Sequence, residues 1–419
     1  MRRIGVEETK SLPITQEMVK TAYKKVKANQ GSSGVDKVSL EEFQLDLRNN
    51  LYKLWNRLAS GSYFPPPVRE ALIPKADGKQ RKLGIPTVAD RVAQQVLKSY
   101  LEPRLEQEFH EHSYGYRPLK NAHQAVEAVR ENVRKYAWVI DMDIKSFFDE
   151  VDHELLMKAL DRHVEEKWVK MYITRWLEAP VKGVDGHFYT KEGKGTPQGG
   201  VISPLLANLY LHYTLDKWIE KHYQDLPFVR YADDVIVHCR SEAEAKEVLS
   251  AINQRLQQCF LRLNEEKTKI VYCQDYRRAK KDYQKKFDFL GFRFQPRSNK
   301  SHRGGMFLGF DCAISPKAEQ RIAAEFKSMK FHRWTSATIQ ELATKFNPKL
   351  RGIIRYYGRF RKWKLERVLR NFHFRLAKWV FNKYKRFGRS YQKAYGWLHK
   401  IRNGFPNLFY HWSIGYRTM

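Results

Sequence analysis

Two adjacent aspartates interrupt one of the most strand-like stretches of this chain, FVRYADDVIVH at residues 228–238. β-branched and aromatic residues flank the pair on both sides, which predicts two strands joined by a tight turn at Ala232-Asp233-Asp234. Aspartate is depleted in strands, and half-burying a carboxylate pair is unfavourable unless positive charge compensates for it. The chain is therefore constrained to a fold in which something positive lies beside this turn.

A second acidic cluster lies upstream, in YAWVIDMDIKSFFDEVDH at residues 136–153. Alternate side chains of a strand share a face, so Asp141 and Asp143 are predicted to point the same way. The two clusters are predicted to bring three or four carboxylates together, and hard oxygen ligands at that density suit Mg²⁺. Strand parity leaves the choice between Asp141 and Asp143 open. For the Asp233-Asp234 pair taken alone, solvated acids at a hairpin tip are the alternative interpretation.

A loop rich in glycine and proline separates the two acidic clusters. It runs into an apolar helix, as GTPQGGVISPLLANLYLH at residues 195–212. Glycines let a backbone approach a nucleotide closely, and the Gln198 side chain is long enough to contact a base or a sugar edge. The loop is therefore predicted to form part of a nucleotide-binding site.

Three cations are spaced six residues apart upstream of both clusters. Arg69, Lys75 and Arg81 lie in SYFPPPVREALIPKADGKQRKLGIPT, residues 62–87. This stretch predicts two short extended runs around a turn at Ala76-Asp77-Gly78. Guanidinium and ammonium groups bind phosphate oxygens, so the hairpin is predicted to grip a triphosphate.

Positive charge is concentrated in the last quarter of the chain. The whole sequence has 77 Lys and Arg against 46 Asp and Glu, a net charge of +31, and residues 316–419 contribute 25 of these cations against four Glu. Aromatic residues are interleaved with them, as in RYYGRFRKWK at 355–364 and KYKRFGRSYQKAY at 383–395. Cations neutralise phosphates and aromatic faces stack on unpaired bases, which predicts nucleic-acid binding and favours single-stranded or looped RNA. A solvated basic face and a membrane-surface role are the alternatives.

The hydrophobic periodicity predicts an α+β chain with an all-helical end. Helices are predicted at 15–30, 40–60 and 89–108, and the central third of the chain mixes strands with helices. A hairpin-like section follows at 287–314, and a domain boundary is predicted near residue 312. One apolar stripe of the helical end, at i, i+3, i+4, i+7, i+11 and i+15, is predicted to face the core, and it consists of Leu365, Val368, Leu369, Phe372, Leu376 and Val380.

The sequence shows no sign of export or membrane insertion. Its N-terminus, MRRIGVEETKSLPITQ, lacks the apolar core of a signal peptide, and no run of about 18 apolar residues occurs. A cytoplasmic protein without a membrane partner is therefore expected. The four cysteines are far apart and form no CxxC pair, which favours reduced, structural thiols at Cys239, Cys259, Cys273 and Cys312.

Six short motifs follow one another across roughly residues 60–293: SYGYRP, DMDIKSFFD, GTPQGG, YADD, LNEEKT and FLGF. In this order they resemble the conserved blocks of reverse transcriptases. IPKADGKQRKLGIPTVADR, HEHSYGYRPLKNAHQAV and GTPQGGVISPLLANLYL resemble, more closely, bacterial group II intron reverse transcriptase/maturases. FNPKLRGIIRYYGRF, within residues 316–385, resembles the maturase-specific X domain of that family, and ANQGSSGVDKVS at 28–39 resembles its N-terminal extension.

The resemblance implies the fold of a right-hand polymerase, α+β in its fingers and palm, followed by an all-α thumb. It implies an N-terminal extension and fingers over residues 1–115. A palm that includes part of the fingers and carries the catalytic aspartates is expected over 116–311. The thumb, or maturase X domain, is expected over 312–390, and a basic aromatic C-terminal tail over 391–419.

The resemblance also implies a catalytic centre. Asp143, Asp233 and Asp234 are expected to be catalytic and to bind two Mg²⁺ ions, for which Mn²⁺ is a substitute. The family's spacing of five residues from the aspartate to the aromatic residue of FD selects Asp143 on its strand and makes Phe148 that aromatic residue. Its ring is expected to fill the space that a ribose 2′-hydroxyl needs, so that deoxynucleotides are preferred. Phe147 is expected to lie in the core.

Further substrate contacts follow from the same resemblance. Lys267, in LNEEKT, is expected to help protonate the leaving pyrophosphate, with a solvated helix charge as the alternative interpretation. Tyr231 and Gly199 are expected to lie against the primer and the template. The dNTP is expected to meet six side chains, those of Arg69, Lys75, Arg81, Phe148, Gln198 and Lys267.

The implied function is that of a group II intron RNA-directed DNA polymerase. Such an enzyme copies an RNA template into cDNA from a DNA primer or target with dNTPs, and it binds intron RNA to assist splicing and retrohoming. One alternative is a free-standing relative that serves DNA repair or CRISPR adaptation. Another is a non-catalytic RNA-binding splicing factor, against which the presence of all three aspartates argues.

Two further expectations concern the ends and the location of the chain. Many members of this family carry a C-terminal HNH-type endonuclease with paired cysteines and histidines. This sequence ends at Met419 without such pairs, so no endonuclease domain and no second-strand cleavage are expected. In a bacterium the protein is expected to be associated with the nucleoid, and the sequence leaves any protein partner undefined.

Overall fold

Hydroxyl side chains set the starts of many helices in this protein. A computed structural model describes residues 12–74, 80–301 and 304–416. Thr15 caps the first helix by accepting a hydrogen bond from the Met18 amide. Ser39 and Thr338 each form a capping box with a glutamate three residues later, so two orphan backbone donors are satisfied at each helix start. Local sequence therefore fixes where these helices begin.

The described chain forms two compact units. Unit 1 consists of Met1–Ala125 and Ile140–Lys269, and unit 2 consists of Val126–Val139 and Ile270–Met419. The boundaries predicted at residues 115, 311 and 390 divide the chain by function, and they stay predictions.

Helices make up much of unit 1. Those of its first half are α1 (Gln16–Asn29), α2 (Leu40–Leu45), α3 (Leu47–Ala59) and α4 (Val88–Glu108), and α5 (Ala122–Lys135) runs from unit 1 into unit 2. Those of its second half are α6 (Phe147–Glu150), α7 (His153–Asp161), α8 (Lys167–Leu177), α9 (Ser203–Leu211), α10 (Lys217–His222) and α11 (Glu242–Gln258). A π-helical turn, His212–Asp216, joins α9 to α10. The helices predicted at 15–30, 40–60 and 89–108 are confirmed, the second as the pair α2 and α3.

Eleven strands are assigned within the described residues. The first eight are β1 (Val68–Pro74), β2 (Gln80–Ile85), β3 (Trp138–Asp143), β4 (Val181–Lys182), β5 (Phe188–Tyr189), β6 (Phe228–Tyr231), β7 (Asp234–Cys239) and β8 (Lys269–Tyr272). The last three are β9 (Phe287–Phe289), β10 (Phe292–Lys300) and β11 (Met306–Ile314). They form three sheets, of order β2-β1-β4-β5, β6-β7-β3-β8 and β11-β10-β9.

Two antiparallel pairs of unit 1 carry the residues that the sequence singles out. Strands β1 and β2 pair with Arg69 opposite Ile85 and Ile73 opposite Arg81, which confirms the two predicted extended runs. Strands β6 and β7 pair with Tyr231 opposite Asp234, so the predicted tight turn consists of Ala232 and Asp233. Strand β7 is the neighbour of β3, and the two acidic clusters therefore belong to adjacent strands of one sheet.

Unit 2 joins the sheet of β9, β10 and β11 to a helical region. Its helices are α12 (Pro316–Ser328), α13 (Ile339–Tyr357), α14 (Glu366–Lys383), α15 (Tyr391–Gly404) and α16 (Tyr410–Ser413). Phe326, Phe331, Phe346 and Phe372 form an aromatic core with the centroids of contacting rings 4.6–6.4 Å apart. The apolar stripe predicted from Leu365 onward is buried at every position. The expected all-α character of this region is confirmed.

The four cysteines are free and buried. This confirms the expectation of reduced, structural thiols at all four positions. Burial raises the pKa of the Cys239 and Cys312 thiols to about 12, so both stay protonated near neutral pH.

Candidate active site

The turn between β6 and β7 presents two carboxylates at the edge of a buried hairpin. Ala232 adopts a left-handed backbone conformation, with φ at 57°, which closes the turn tightly. Asp233 and Asp234 are half-buried, whereas Val235 and the strand residues behind them are fully buried. The turn therefore directs both carboxylates away from the apolar strands while keeping them partly out of water.

Asp143 lies at the end of the neighbouring strand β3, where the LNEEKT segment closes over it. The Asn264 side-chain amide donates to Asp143 Oδ2 at 3.0 Å, and Lys267 Nζ lies 2.9 Å from the same oxygen. The Asn264 backbone amide also donates to the Asp143 carbonyl at 2.8 Å. Lys267 is thus a direct neighbour of Asp143, and its side chain is 61% exposed. Its expected role toward the pyrophosphate stays a prediction.

The three carboxylates interact electrostatically. Burial comes first among the causes, followed by the charges of Asp233 and Asp143, and together they raise the pKa of Asp234 to about 7. Burial and the Asp143 charge likewise raise the pKa of Asp233. Lys267 and Arg81 act in the opposite direction on both groups without cancelling the rise. The protein's own cations therefore leave negative charge at this site uncompensated.

The donor set suits a hard divalent cation. Mg²⁺ in nucleotide-transferring sites takes one or two carboxylates together with water and substrate phosphates. Within residues 12–74, 80–301 and 304–416, no group of three or more acidic, histidine or cysteine side chains lies close enough together to hold a metal ion, so the three aspartates do not form such a group. Asp143 Oδ2 is engaged by Asn264 and Lys267. A divalent ion bound at Asp143, Asp233 and Asp234 would therefore need further ligands, such as water or phosphate oxygens.

The GTPQGG loop is fastened at both ends to neighbouring elements. The Thr196 amide donates to the Phe148 carbonyl at 2.7 Å, and the Gly84 amide donates to the Gln198 carbonyl at 2.8 Å. Gly199 has φ at +126°, and a Cβ there would overlap the Gly84 carbonyl oxygen. Glycine is therefore required where the loop passes β2. The Gln198 side chain donates one long hydrogen bond, from Nε2 to Asp149 Oδ2 at 3.3 Å.

The two phenylalanines of DIKSFFD differ in burial. Phe147 is only 2% exposed and packs against Tyr210. Phe148 is half-buried, and its carbonyl holds the loop through Thr196. The core position is thus Phe147, and the Phe148 ring is the more accessible of the two.

The predicted triphosphate-binding cations occupy different environments. Arg81 is exposed on β2 and is close enough to Asp233 and Asp234 to lower their pKa values. Arg69 donates from Nη2 and Nε to the Ser33 carbonyl at 2.7 and 3.2 Å, so it also anchors the segment that resembles an N-terminal extension. Lys75 lies outside the described residues.

A buried hydrogen-bond chain that the sequence did not predict supports the GTPQGG loop. Gln94 Oε1 accepts from the amides of Val201 at 2.7 Å and Ile202 at 3.3 Å, and Gln94 Nε2 donates to Asp90 Oδ2 at 3.0 Å. Asp90 is anchored in turn through Oδ1 by Tyr63 and Trp176. The available signal was two polar pairs, Asp90-Arg91 and Gln94-Gln95, separated by apolar residues in the stretch VADRVAQQVL of α4.

A second buried network, also missed from the sequence, supports the aspartate turn. Arg230 is fully buried and donates to both Asp216 oxygens, at 2.7 and 2.5 Å, and to Asn208 Oδ1 at 3.0 Å. Its Nη1 also reaches the Ala232 carbonyl at 3.4 Å. The signal was a charged residue inside the apolar run FVRY.

The SYGYRP motif lies directly against the same turn. The Tyr114 amide donates to the Arg230 carbonyl at 2.8 Å, and Asn208 donates to the Gly115 carbonyl at 2.7 Å. A Cβ on Gly115 would lie 2.5 Å from the Ala232 backbone nitrogen. Tyr231 faces this motif through a ring contact with Tyr116 at 6.5 Å between centroids. The motif therefore supports the turn by close backbone contact.

Among the described residues, no helix is long and apolar enough to span a membrane.

Two family models match this chain over most of its length. Residues 73–294 match the reverse transcriptase (RNA-dependent DNA polymerase) model, and residues 319–396 match the group II intron, maturase-specific domain. Because the first match covers more than half of the 419 residues, the chain belongs to the reverse transcriptase family. The second domain then identifies it as a reverse transcriptase/maturase of the bacterial group II intron type.

Individual relatives agree with this assignment. Protein YkfC of Escherichia coli K12 is 34% identical over 282 residues, which cover 58% of this chain and 73% of YkfC. The group II intron-encoded protein LtrA of Lactococcus lactis subsp. cremoris is 34% identical over 201 residues, 47% of this chain and 33% of LtrA. A 91 kDa protein in the cob intron of Schizosaccharomyces pombe is 26% identical over 83% of this chain and 50% of its own length. The matches thus span a third to a half of the two intron proteins.

Proposed function

We propose that Asp143, Asp233 and Asp234 are the catalytic centre of an RNA-directed DNA polymerase. The observation that carries this proposal is the coupling of three carboxylates from adjacent strands, with the pKa of Asp234 raised to about 7. Like charges that are half-buried together favour a divalent cation as the compensating partner. Mg²⁺ is the natural ion, two ions are expected, and Mn²⁺ is a substitute.

The reaction joins a primer to a deoxynucleotide. The primer 3′-hydroxyl oxygen attacks the α-phosphorus of the dNTP, and pyrophosphate leaves. Bound divalent ions supply activation of the attacking hydroxyl and stabilisation of the leaving oxygen. Lys267, next to Asp143, is suited to donate a proton to the pyrophosphate.

The side chains around the carboxylates define the rest of the substrate site. Arg81, Lys75 and, in part, Arg69 bind the triphosphate, because guanidinium and ammonium groups pair with phosphate oxygens. The half-buried Phe148 ring contacts the deoxyribose and rejects a 2′-hydroxyl, and Gln198 contacts the nucleotide. Tyr231 and Gly199 contact the primer and the template.

Intron RNA is the second partner of this proposal. The maturase-specific domain covers residues 319–396, within the quarter of the chain that holds 25 Lys and Arg. Such a surface binds phosphates and is expected to assist splicing and retrohoming of the intron, with DNA as the target. A nucleoid-associated location in a bacterial cytoplasm follows from the same proposal.

Primer extension with matched variants tests the catalytic centre. A DNA primer on an RNA template with dNTPs and Mg²⁺ is extended by wild type, and Asp233→Asn is expected to lower the single-turnover rate by about 10²-fold or more, because a charge on the metal site is lost. Asp141→Asn is the control, since Asp141 lies on the same strand two residues before Asp143. Equal losses in both variants, or none in Asp233→Asn, would contradict the assignment.

A further inference from the structure

Unit 2 contains a cavity of about 500 Å³ that the proposed polymerase site does not use. It lies where the start of β11 faces the segment after β8. We call it the unit 2 cavity, and the lining residues that matter here are Arg134, Tyr276, Arg277, Lys300, Phe307 and Gly309. Its volume is within the range of small-ligand sites.

Two aromatic rings of this cavity face solvent. The Tyr276 side chain is 65% exposed and that of Phe307 is 37% exposed. Their rings meet edge to face, with centroids 5.5 Å apart. The Tyr276 amide donates to the Leu308 carbonyl at 2.9 Å, which fixes the Tyr276 backbone to β11. An exposed ring on a fixed backbone offers a flat apolar face at low entropic cost.

Cations surround these rings. The Arg277 guanidinium lies 5.7 Å from the centre of the Tyr276 ring and is held there by Asp275, at 2.6 Å from Nη2. Arg134 and Lys300 are exposed. In the part of the chain that the structure describes, neither of these two has a carboxylate partner. Both are therefore available to phosphate oxygens.

The carboxylates that line the cavity are already engaged. Asp275 accepts from the Arg277 guanidinium and from the Arg277 backbone amide. Asp311 accepts from Arg130 at 2.7 Å and from Arg361 at 3.1 Å. The cavity thus presents a net positive field beside its aromatic wall.

The floor of the cavity is a glycine in close contact with a side-chain amide. A Cβ on Gly309 would overlap the Asn299 side-chain nitrogen. The Asn299 side-chain oxygen accepts from Arg361, so its NH₂ group faces the Gly309 side. This NH₂ group adds a hydrogen-bond donor to the cavity.

We propose that the unit 2 cavity binds one or two nucleotides of single-stranded RNA, with a base stacked on Tyr276 and phosphates at Arg134 and Lys300. The proposal rests on the RNA-binding part of the proposed function. Base stacking on aromatic side chains combined with backbone cations is the usual means of binding single strands. An acidic peptide would use the cations but would leave the exposed ring without a planar partner.

The test separates this cavity from the polymerase site. Full-length protein is first saturated with a dideoxy-terminated primer on an RNA template, and a labelled 12-nucleotide single-stranded RNA of mixed sequence is then titrated. Tyr276→Ala is expected to raise the Kd of this probe at least fivefold, because stacking on one ring is lost. Lys300→Gln is expected to reduce the dependence of log Kd on log salt by about 0.7. Tyr52→Ala and Lys158→Gln, on exposed residues of unit 1, are the controls.

Each outcome has a defined meaning because primer extension is measured on the same preparations. If Tyr276→Ala binds the probe more weakly and extends the primer normally, the cavity proposal is supported. If it binds the probe more weakly and neither it nor wild type extends the primer, the cavity proposal is supported and the catalytic proposal fails. Wild-type probe binding by Tyr276→Ala overturns the cavity proposal. A second result would also overturn the proposal. In it, wild type does not bind the RNA probe but binds a 12-residue polyglutamate peptide, and Lys300→Gln weakens the binding of that peptide.

Discussion

Gln94 accepts hydrogen bonds from two amides of the GTPQGG loop with one end of its side chain and donates to Asp90 with the other. Asp90 determines the orientation of the Gln94 side-chain amide. Its ionised carboxylate only accepts hydrogen bonds, from Tyr63, Trp176 and Gln94, so the NH₂ end of Gln94 must face Asp90. Single buried residues of α4 thus decide how the GTPQGG loop is held. Burial raises the pKa of Asp90 to about 6, although three hydrogen bonds lower it.

The raised pKa of Asp90 predicts a pH-dependent stability difference. An acid whose pKa is higher in the folded state binds more protons there, so its ionisation destabilises the fold as pH rises from 3.8 to about 6. Relative to Asp90→Asn, wild type is expected to gain about 1 kcal/mol in free energy of unfolding for each unit by which the pH falls from 6 to 4. Urea denaturation at pH 7, 6, 5 and 4.5 measures this difference. A difference that stays constant would contradict the assignment.

The environment of a residue could be predicted where a short motif determines it, but not where residues distant in sequence determine it. Phe148 and the buried Phe147 were separated correctly in burial from the spacing of DIKSFFD. Gln94 was missed because a polar helix residue normally faces solvent, and its partners in the GTPQGG loop are more than 100 residues away. Arg69 was predicted only as a phosphate ligand, since its bond to the Ser33 carbonyl depends on tertiary structure.

At the scale of elements, the β6–β7 turn is supported from behind by buried charge. Arg230 and Asp216 are both fully buried, and the pair joins β6 to the π-helical turn before α10. A π-helical turn adds one residue to the helix path and so changes which side chains face a neighbour. The sequence predicted both strands, but the pairing with Asp216 needed the folded structure.

Removing one member of this ion pair is expected to destabilise unit 1 strongly. Arg230→Leu leaves the Asp216 carboxylate buried without its partner, which costs about 3–5 kcal/mol in free energy of unfolding. Asp216→Leu combined with Arg230→Leu removes both charges and is expected to recover part of this loss. Urea denaturation of wild type, both single variants and the double variant gives the coupling free energy of the pair as a double-mutant cycle. Additive effects of the two substitutions would contradict the coupling.

Contact between SYGYRP and the aspartate turn predicts an activity defect without unfolding. A methyl group at Gly115 would lie 2.5 Å from the Ala232 nitrogen, so Gly115→Ala must displace the turn that carries Asp233. We expect primer extension to fall about 10²-fold, because small displacements of catalytic groups have effects of this size. Gly396→Ala, at a site with open space, is the control. Full activity of Gly115→Ala with an unchanged melting temperature would refute the contact.

At the scale of the whole molecule, the distribution of charge could be predicted from the sequence, whereas the division of the chain into compact units could not. The basic, aromatic last quarter of the chain was evident from its composition. The reverse transcriptase and maturase-specific models match the chain in the order that the motifs indicated. The compact units were not readable, because Val126–Val139 groups with Ile270–Met419. The bond between Arg130 and Asp311, 181 residues apart, shows why local periodicity carries no signal for that grouping.

Manganese binding tests the assignment of the carboxylate centre most directly. Electron paramagnetic resonance of Mn²⁺ is recorded with full-length protein, a primer–template duplex and a non-hydrolysable dNTP analogue. If Asp143, Asp233 and Asp234 hold the cation, Asp233→Asn weakens Mn²⁺ binding at least about tenfold through the loss of a charged oxygen ligand, and Asp141→Asn leaves it unchanged. Wild-type Mn²⁺ affinity in Asp233→Asn would show that the metal lies elsewhere and would contradict the proposed catalytic centre.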